Sequence, residues 1–255
     1  SGMILTDRFV FVHQPKTGGT FVTEMISRLG STAAGAMWLG EVVDTRKHGT
    51  CHDIPGSWRD RPVLATLRHP CDRYVSQYEY RWWVQRPPGW WRRFRLRRRF
   101  PGYPEVDFAT FVRHAPAFTG FRQRDAGVGA PGLGLQARQF IRYFAREPRR
   151  MAHRASESSY VESGAYRDDL FPVRFLPTHR LNASLAGALE DLGCPSSATA
   201  AIREAAVIRP AGSVRTSAQR WESYFDDTLR SWVETHDRLV FRVLEDVEAE
   251  AGSCG

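Results

Sequence analysis

Short apolar runs alternate with stretches of helical periodicity along this chain. The run R-F-V-F-V-H over 8–13 predicts a buried strand, and P-V-L-A-T-L over 62–67 predicts a second. Between them, residues 20–29 place apolar side chains at the spacing of one helix face. A third short strand is predicted over 173–176. Strands that alternate with helices predict an α/β fold, in which helices flank a central parallel β-sheet.

The rest of the chain is predicted to be largely helical. Helical patterns occur over 71–84, 106–114, 135–145, 182–192, 198–207 and 218–250, the last with a break near Phe225. Residues 85–104 are rich in Arg, Trp, Pro and Gly, which predicts an irregular excursion. Several glycines over 120–134 predict a loop.

Length and composition set the class of protein. The chain has 255 residues, of which 42% are hydrophobic and 25% charged, so we expect a globular protein that needs no disulfide or metal to fold. No linker is evident, and we expect a single domain over 1–255, with Ser1 and Gly2 set aside as the remnant of an expression tag. No apolar run approaches the roughly 20 residues that span a bilayer. The scattered cysteines favour a cytoplasmic location without structural zinc.

The charge of the chain favours anionic partners. Lys and Arg total 36 against 28 Asp and Glu, a net charge of +8. Much of the excess lies in W-W-R-R-F-R-L-R-R-R-F over 90–100. This run could bind nucleic acid, form a lid over a substrate or be a solvated basic helix.

A glycine-containing loop between the first predicted strand and helix carries the first chemical signal. Its sequence is P-K-T-G-G-T over 15–20. Two glycines allow the backbone to turn sharply and to approach an anion closely. The following helix directs its N–H groups and positive dipole end toward the same point, while Lys16 adds a cation and two threonines add hydroxyl donors. The loop therefore predicts a phosphate site.

The loop differs from that of ATP and GTP hydrolases. Their motif is G-x-x-x-x-G-K-[ST], with the lysine after the last glycine, whereas Lys16 precedes Gly18 and Gly19. No acidic strand end stands out as a magnesium ligand. These features suit a nucleotide phosphate that is handled without an essential metal.

The stretch H-Q-P-K-T-G-G-T over 13–20 resembles the 5′-phosphosulfate loop of sulfotransferases that use 3′-phosphoadenosine-5′-phosphosulfate (PAPS). It is most similar to the carbohydrate-acting type, such as heparan sulfate 2-O-sulfotransferases and their bacterial relatives. The resemblance implies a P-loop-like nucleotide-binding fold. It also implies that Lys16 contacts the 5′-phosphate and the bridging oxygen that leaves. The other residues that would cradle the 5′-phosphate are Pro15, Thr17, Gly18, Gly19 and Thr20.

A second motif, L-R-H-P-C-D-R-Y-V-S-Q-Y over 67–78, follows the second predicted strand. It resembles the 3′-phosphate motif of the same family, in which an arginine at a strand end acts with a serine on the next helix. Here these residues are Arg68 and Ser76. Arginine suits a terminal phosphate because its planar fork donates two parallel hydrogen bonds. The later segment R-P-A-G-S-V-R-T resembles the loop that folds over the nucleotide and makes Arg215 a further candidate contact.

The acceptor hydroxyl must lose a proton as it attacks, and a histidine or carboxylate usually takes it. The resemblance places a catalytic histidine just before the second strand, where His48 is the first candidate and His52 the second. Asp44 and Glu41 are possible substitutes, and no metal is expected. His13, beside the loop, is expected to be structural.

These features together predict a sulfotransferase that moves the sulfuryl group of PAPS to a hydroxyl of a sugar, phenol or natural product. Residues 82–100 could form one wall of the acceptor site, or could be core tryptophans with exposed arginines. The alternative enzyme is a P-loop-type kinase of a small molecule or nucleotide. A third possibility is a basic nucleic-acid-binding module. With the sulfotransferase reading we expect a small-molecule or carbohydrate acceptor, with no nucleic-acid or membrane partner, and the oligomeric state stays open.

Overall fold

A computed structural model describes residues 2–45, 49–119, 131–206 and 220–252. Its central feature is a five-stranded sheet. The strands are β1 (Ile4–Thr6), β2 (Val10–Val12), β3 (Val42–Asp44), β4 (Val63–Leu67) and β5 (Val173–Pro177), in the spatial order β3-β1-β2-β4-β5. The helices that accompany it make the protein an α/β fold, as the sequence predicts.

Four of the five strands run in one direction. Val12 of β2 pairs with Ala65 of β4, and Ala65 pairs in turn with Phe175 of β5, all in parallel register. Strand β1 runs in the opposite direction and pairs antiparallel with both β2 and β3. Only a few residues connect β1 to β2, and a connection this short can join only antiparallel neighbours. The prediction of a parallel sheet is therefore right for β2, β4 and β5 and wrong for β1.

The helices follow in chain order. They are α1 (Gly19–Gly30), α2 (Ala33–Leu39), α3 (Pro70–Tyr80), α4 (Trp82–Gln85), α5 (Trp90–Arg99), α6 (Phe108–Phe118), α7 (Leu135–Phe144), α8 (Pro148–Arg154), α9 (Ser158–Glu162), α10 (Leu181–Asp191), α11 (Ser196–Glu204), α12 (Asp227–His236) and α13 (Arg238–Gly252). None of these helices, within the described ranges, is long and apolar enough to span a membrane.

The chain forms two compact units. The first comprises the described residues of 1–68, 170–211 and 244–255, and it contains the whole sheet. Its core packs α1, α2, α10 and α11 with buried strand residues such as Phe11 and Leu64. All five residues of β4 are buried, which explains why this strand reads as a continuous apolar run.

The second unit comprises the described residues of 69–169 and 212–243, and it is helical. Its core is rich in aromatic side chains, with Trp83 stacked on Phe111 at 5.0 Å between ring centroids. Further members of this core are Tyr74, Phe100, Tyr103, Phe118 and Val233. Helix α13 begins in the second unit and ends in the first.

Two sequence-based expectations for the second unit are wrong. The predicted helix over 71–84 is divided into α3 and α4 because Arg81 adopts a left-handed backbone conformation, with φ of 49°. Residues 85–104 contain α5 rather than an irregular excursion throughout. Leu96, which is buried, gives α5 one side that packs against the core despite the many arginines.

Candidate anion-binding site

The candidate site lies at the carboxyl ends of β2 and β4. The chain leaves β2 through α1 toward β3 on one side of the sheet, whereas β4 lies on the other side of β2, next to β5. A crevice at such a change in strand order is where open α/β sheets bind ligands. The loop over 13–18 follows β2 and Arg68 follows β4, so the parallel pairing of these strands brings the loop and Arg68 to one edge of the sheet.

The two glycines of the loop are required by their surroundings. Gly18 has φ of 88°, a left-handed conformation that strains other residues. A Cβ atom on Gly18 would lie 3.0 Å from a methyl group of Leu181. At Gly19 a Cβ atom would lie 2.0 Å from the ring of His13, which is closer than any real contact. Another residue at Gly18 would therefore be strained, and another residue at Gly19 would force the His13 ring to move.

Lys16 and Arg68 are held next to each other. Lys16 is half-buried and has φ of 65°, and Arg68 Nη1 donates a hydrogen bond to its carbonyl oxygen at 3.3 Å. Burial and, to a smaller extent, the positive charge of Arg68 lower the pKa of Lys16 from 10.5 to about 8. An anion bound here would be attracted by both cations and would raise the pKa of Lys16 again.

The N-terminus of α1 is open to an anion as well. Gly18 occupies the N-cap position and provides no side-chain cap, and the first turn of α1 contains no acidic residue. The first N–H groups of a helix lack partners within the helix, and they carry the positive end of its dipole. Thr20, half-buried, lies in this first turn. The loop, the two cations and the helix terminus thus present positive charge to one place.

Thr17 has a structural role that the sequence did not reveal. Its side chain is buried, and its hydroxyl donates to the carbonyl oxygen of Gln14 at 2.7 Å. A second hydrogen bond of 2.7 Å joins the hydroxyls of Thr17 and Thr66. The Thr17 side chain therefore anchors the loop to β4, and we expect its backbone N–H rather than its hydroxyl to face a ligand.

Gln14 and His13 complete the loop. Gln14 is 1% exposed, and its side-chain Nε2 finds no acceptor among the described residues, which is unfavourable for a buried donor. Its neighbour His13 is buried with its ring stacked on Phe11 at 6.2 Å and lying against Gly19. His13 thus fills space beneath the loop, which is consistent with a structural role. Pro15 is half-buried.

The remaining residues of the second motif lie in the second unit. Ser76 is half-buried on α3. His69, at the N-cap of α3, stacks on Trp221 at 4.7 Å, and burial lowers its pKa. Arg73 donates to Gln139 Oε1 at 2.6 Å and so links α3 to α7. His69 and Arg73 therefore stabilise the helix that carries Ser76.

The candidate bases are only partly described. His48 and Arg215 lie outside the described residues. His52 is exposed on a short 3-10 turn, with its ring edge-on to Phe171 at 5.0 Å. The turn is fixed by Asp53, whose carboxylate accepts hydrogen bonds from the backbone N–H and the hydroxyl of Thr50 at 2.7 and 2.9 Å. Burial raises the pKa of the neighbouring thiol, Cys51, to about 12, which disfavours its reactive thiolate form.

The two substitute carboxylates lie on or beside the edge strand β3. Asp44 is exposed and accepts a hydrogen bond from the backbone N–H of Gly2 at 3.3 Å. Glu41 is exposed, and its backbone N–H donates to Asp7 Oδ2 at 3.0 Å. Over the ranges that the structure describes, no three or more His, Cys, Asp or Glu side chains are grouped so that they could hold a metal ion.

Comparisons with known proteins add no relative. No protein-family model, curated protein or solved structure matches the chain. A functional assignment therefore rests on the two motifs and on the geometry of the residues that carry them.

Proposed function

We propose that this protein is a PAPS-dependent sulfotransferase of the carbohydrate-acting type, with a P-loop-like fold. The observation that carries the proposal is the pairing of Lys16 with Arg68 at the N-terminus of α1, at the ends of adjacent parallel strands. Both residues come from the motifs that resemble the phosphate-binding motifs of that family. The two neighbouring cations support the binding of a phosphate group, and the resemblance suggests a nucleotide with phosphates at both its 5′ and 3′ positions.

Lys16 and the loop backbone would hold the 5′-phosphosulfate. PAPS supplies an activated sulfuryl group, whose bond to the bridging oxygen breaks as the acceptor oxygen bonds to sulfur. Negative charge then grows on the bridging oxygen, where a positioned ammonium group is most effective. The backbone N–H groups of Gly18, Gly19 and Thr20 would bind the phosphate oxygens, as glycines at a helix N-terminus do in other nucleotide sites.

The 3′-phosphate would bind at the second motif. Arg68 and Ser76 are assigned to it by the resemblance, with Arg215 as a third contact. Arg68 also fixes the loop through the carbonyl oxygen of Lys16, so one guanidinium would connect the two phosphate sites. His48 is the leading candidate to take the proton of the acceptor hydroxyl, and His52 is the second.

The test is binding of the desulfated donor, 3′-phosphoadenosine-5′-phosphate (PAP). At about 100 times its dissociation constant, PAP should stabilise the protein by roughly 2.7 kcal/mol. Adenosine 5′-monophosphate, which lacks the 3′-phosphate, should stabilise it less, and chelation of metals with EDTA should not weaken the effect of PAP. Thermal unfolding of the whole chain measures each of these effects.

Two variants sharpen this test. Lys16→Ala should remove most of the stabilisation by PAP, whereas Arg28→Ala, which removes an exposed cation from the last turn of the same helix, should leave it intact. Stronger stabilisation by ATP with magnesium than by PAP would overturn the proposal in favour of a P-loop-type kinase.

A further inference from the structure

Helix α5 exposes an unusual cluster of aromatic side chains. Trp90, Trp91 and Phe94 are 68%, 63% and 50% exposed, although large apolar side chains are usually buried. We call these three residues the aromatic crest. The donor site of the proposed sulfotransferase does not include them.

The crest points away from the core of the second unit. At 100° per residue, Trp90, Trp91 and Phe94 occupy a sector of about 100° on the helix, and Leu96 lies nearly opposite to it. Leu96 is buried, and Arg92, on the same inner side, donates to the carbonyl oxygen of Ala117 at 2.8 Å. The inner side of α5 is thus packed against the second unit, and the crest forms the solvent-facing side of the same helix.

Arginines surround the crest. Ten residues of α5 include six arginines and no acid, and the five arginines other than Arg92 are exposed. Within the described ranges none of the six forms an ion pair with an acidic side chain. Arg98 lies over the ring of Phe94, with its guanidinium carbon 5.8 Å from the ring centroid. The result is an apolar ridge with positive charge on both flanks.

This arrangement fits an anionic bilayer surface better than a nucleic acid. Proteins that bind single strands offer a groove with open aromatic faces on which bases stack. Here Trp90 and Trp91 stack on each other, with ring centroids 4.0 Å apart, so the ring faces between them are not open to a base. Aromatic rings enter the headgroup region of a membrane readily, while flanking arginines reach the lipid phosphates.

We propose that α5 docks this protein reversibly on anionic lipid surfaces, with the aromatic crest inserted among the headgroups. This departs from the expectation that the protein has no membrane partner. A ten-residue helix with three inserted rings would act as a peripheral contact, and acceptors at the membrane surface would then be brought to the enzyme.

The experiment is co-sedimentation of the whole chain with vesicles. Vesicles that contain phosphatidylglycerol should bind at least tenfold more protein than vesicles of phosphatidylcholine alone, and the binding should weaken with salt. A combined Arg93→Gln, Arg97→Gln and Arg98→Gln variant should lose affinity on the order of a hundredfold, since each arginine near a charged surface contributes about fivefold.

The aromatic crest separates insertion from simple charge attraction. Replacing Trp90, Trp91 and Phe94 with serine should lower affinity for the anionic vesicles at least tenfold, although every arginine is kept. A matched control, Met37→Ser with Val42→Ser, removes exposed apolar side chains from the first unit and should bind as the parent does. Unchanged circular dichroism and unchanged stabilisation by PAP would show that the fold and the donor site are intact.

Two results would overturn the proposal. One is that the crest variant binds anionic vesicles as tightly as the parent protein does, which would show that charge attraction alone accounts for the binding. The other is tighter binding of a single-stranded oligonucleotide than of anionic vesicles, with loss of that binding in the crest variant, which would identify α5 as a nucleic-acid surface. Neither result bears on PAP binding, so the donor site is tested separately.

Discussion

Helices α1 and α7 begin in the same way and differ in what surrounds their first turn. Each follows a glycine that provides no side-chain cap. At α7, the carboxylate of Asp237 accepts a hydrogen bond from the N–H of Ala137 at 2.7 Å, and the hydroxyl of Tyr74 donates to the same carboxylate at 2.8 Å. At α1, the prominent charged groups are the cations Lys16 and Arg68. The protein supplies the anion for α7 itself, whereas α1 has cations beside its first turn, as the proposed phosphate site requires.

The pKa values of the two charged groups reflect this difference. Burial raises the pKa of Asp237 to about 6, against hydrogen bonds from Ala137 and Tyr74 that lower it. At Lys16, burial and the nearby Arg68 act in the same direction, and both disfavour the charged form. Asp237 is thus a charge whose surroundings partly compensate its burial. Lys16 is a charge whose strongest neighbouring influences destabilise it, as at many functional sites.

The largest effect should come from Asp237→Ala. This change leaves the Ala137 N–H and the Tyr74 hydroxyl buried without their acceptor, and it should destabilise the protein by about 3 kcal/mol. The melting temperature should then fall by roughly 10 °C. Thermal or urea unfolding measures the loss.

The control for this change is Asp226→Ala, which removes the side-chain cap of α12, where Asp226 accepts from the N–H of Leu229. Loss of such an exposed cap should destabilise the protein by about 1 kcal/mol. If the two variants were equally stable, Asp237 would stabilise the protein no more than an ordinary exposed cap does. The contrast drawn between the first turns of α7 and α1 would then have no basis in stability.

A smaller effect of opposite sign is expected for Lys16→Met without ligand. Because the folded protein holds this ammonium at a lowered pKa, its burial opposes folding below about pH 8, and this opposition disappears above pH 10.5, where lysine is neutral in both states. The melting temperature at pH 7 should rise by about 2–4 °C, while stabilisation by PAP should be lost. If the variant were less stable instead, Lys16 would be a residue that stabilises the fold, and its contrast with Asp237 would be wrong.

The smallest effect is a change in the pKa of Lys16 itself. Lys16 and Lys47 are the chain's only lysines, so acetylation at different pH values, read by mass spectrometry, can follow each one separately. Without ligand, Lys16 should titrate near pH 8. With PAP bound, its pKa should rise, because phosphate oxygens favour the charged ammonium. An unchanged titration in saturating PAP would place Lys16 outside the site.

The sequence predicts well those elements whose conformation is determined by residues close to one another along the chain. The strand over 10–12, the glycine loop and α1 follow one another within a short segment, and apolar periodicity together with glycine chemistry is enough to identify them. The position of Arg68 after β4 follows from the same kind of local signal. For α5, by contrast, the composition suggested an irregular segment, since one buried leucine among many arginines is a weak helical signal.

Contacts between segments that are distant along the chain cannot be predicted from the sequence. Asp237 lies 100 residues from Ala137 and 163 from Tyr74, and no local pattern marks it as the residue that caps α7. Strand β3 has three residues, of which Val42 and Asp44 are exposed, so no buried apolar run marks it in the sequence. The inward direction of the Thr17 hydroxyl likewise depends on Thr66, a residue of another strand.

That hydroxyl pair has a mechanical consequence. Thr17 sits in the glycine loop, and Thr66 lies two positions before Arg68, so the link of 2.7 Å ties the loop directly to the strand that presents the guanidinium. Neither the loop nor the end of β4 can therefore shift without displacing the other. Amide hydrogens of the loop and of β4 should accordingly exchange together, as one cooperative unit. A ligand that binds to either segment should slow the exchange of both.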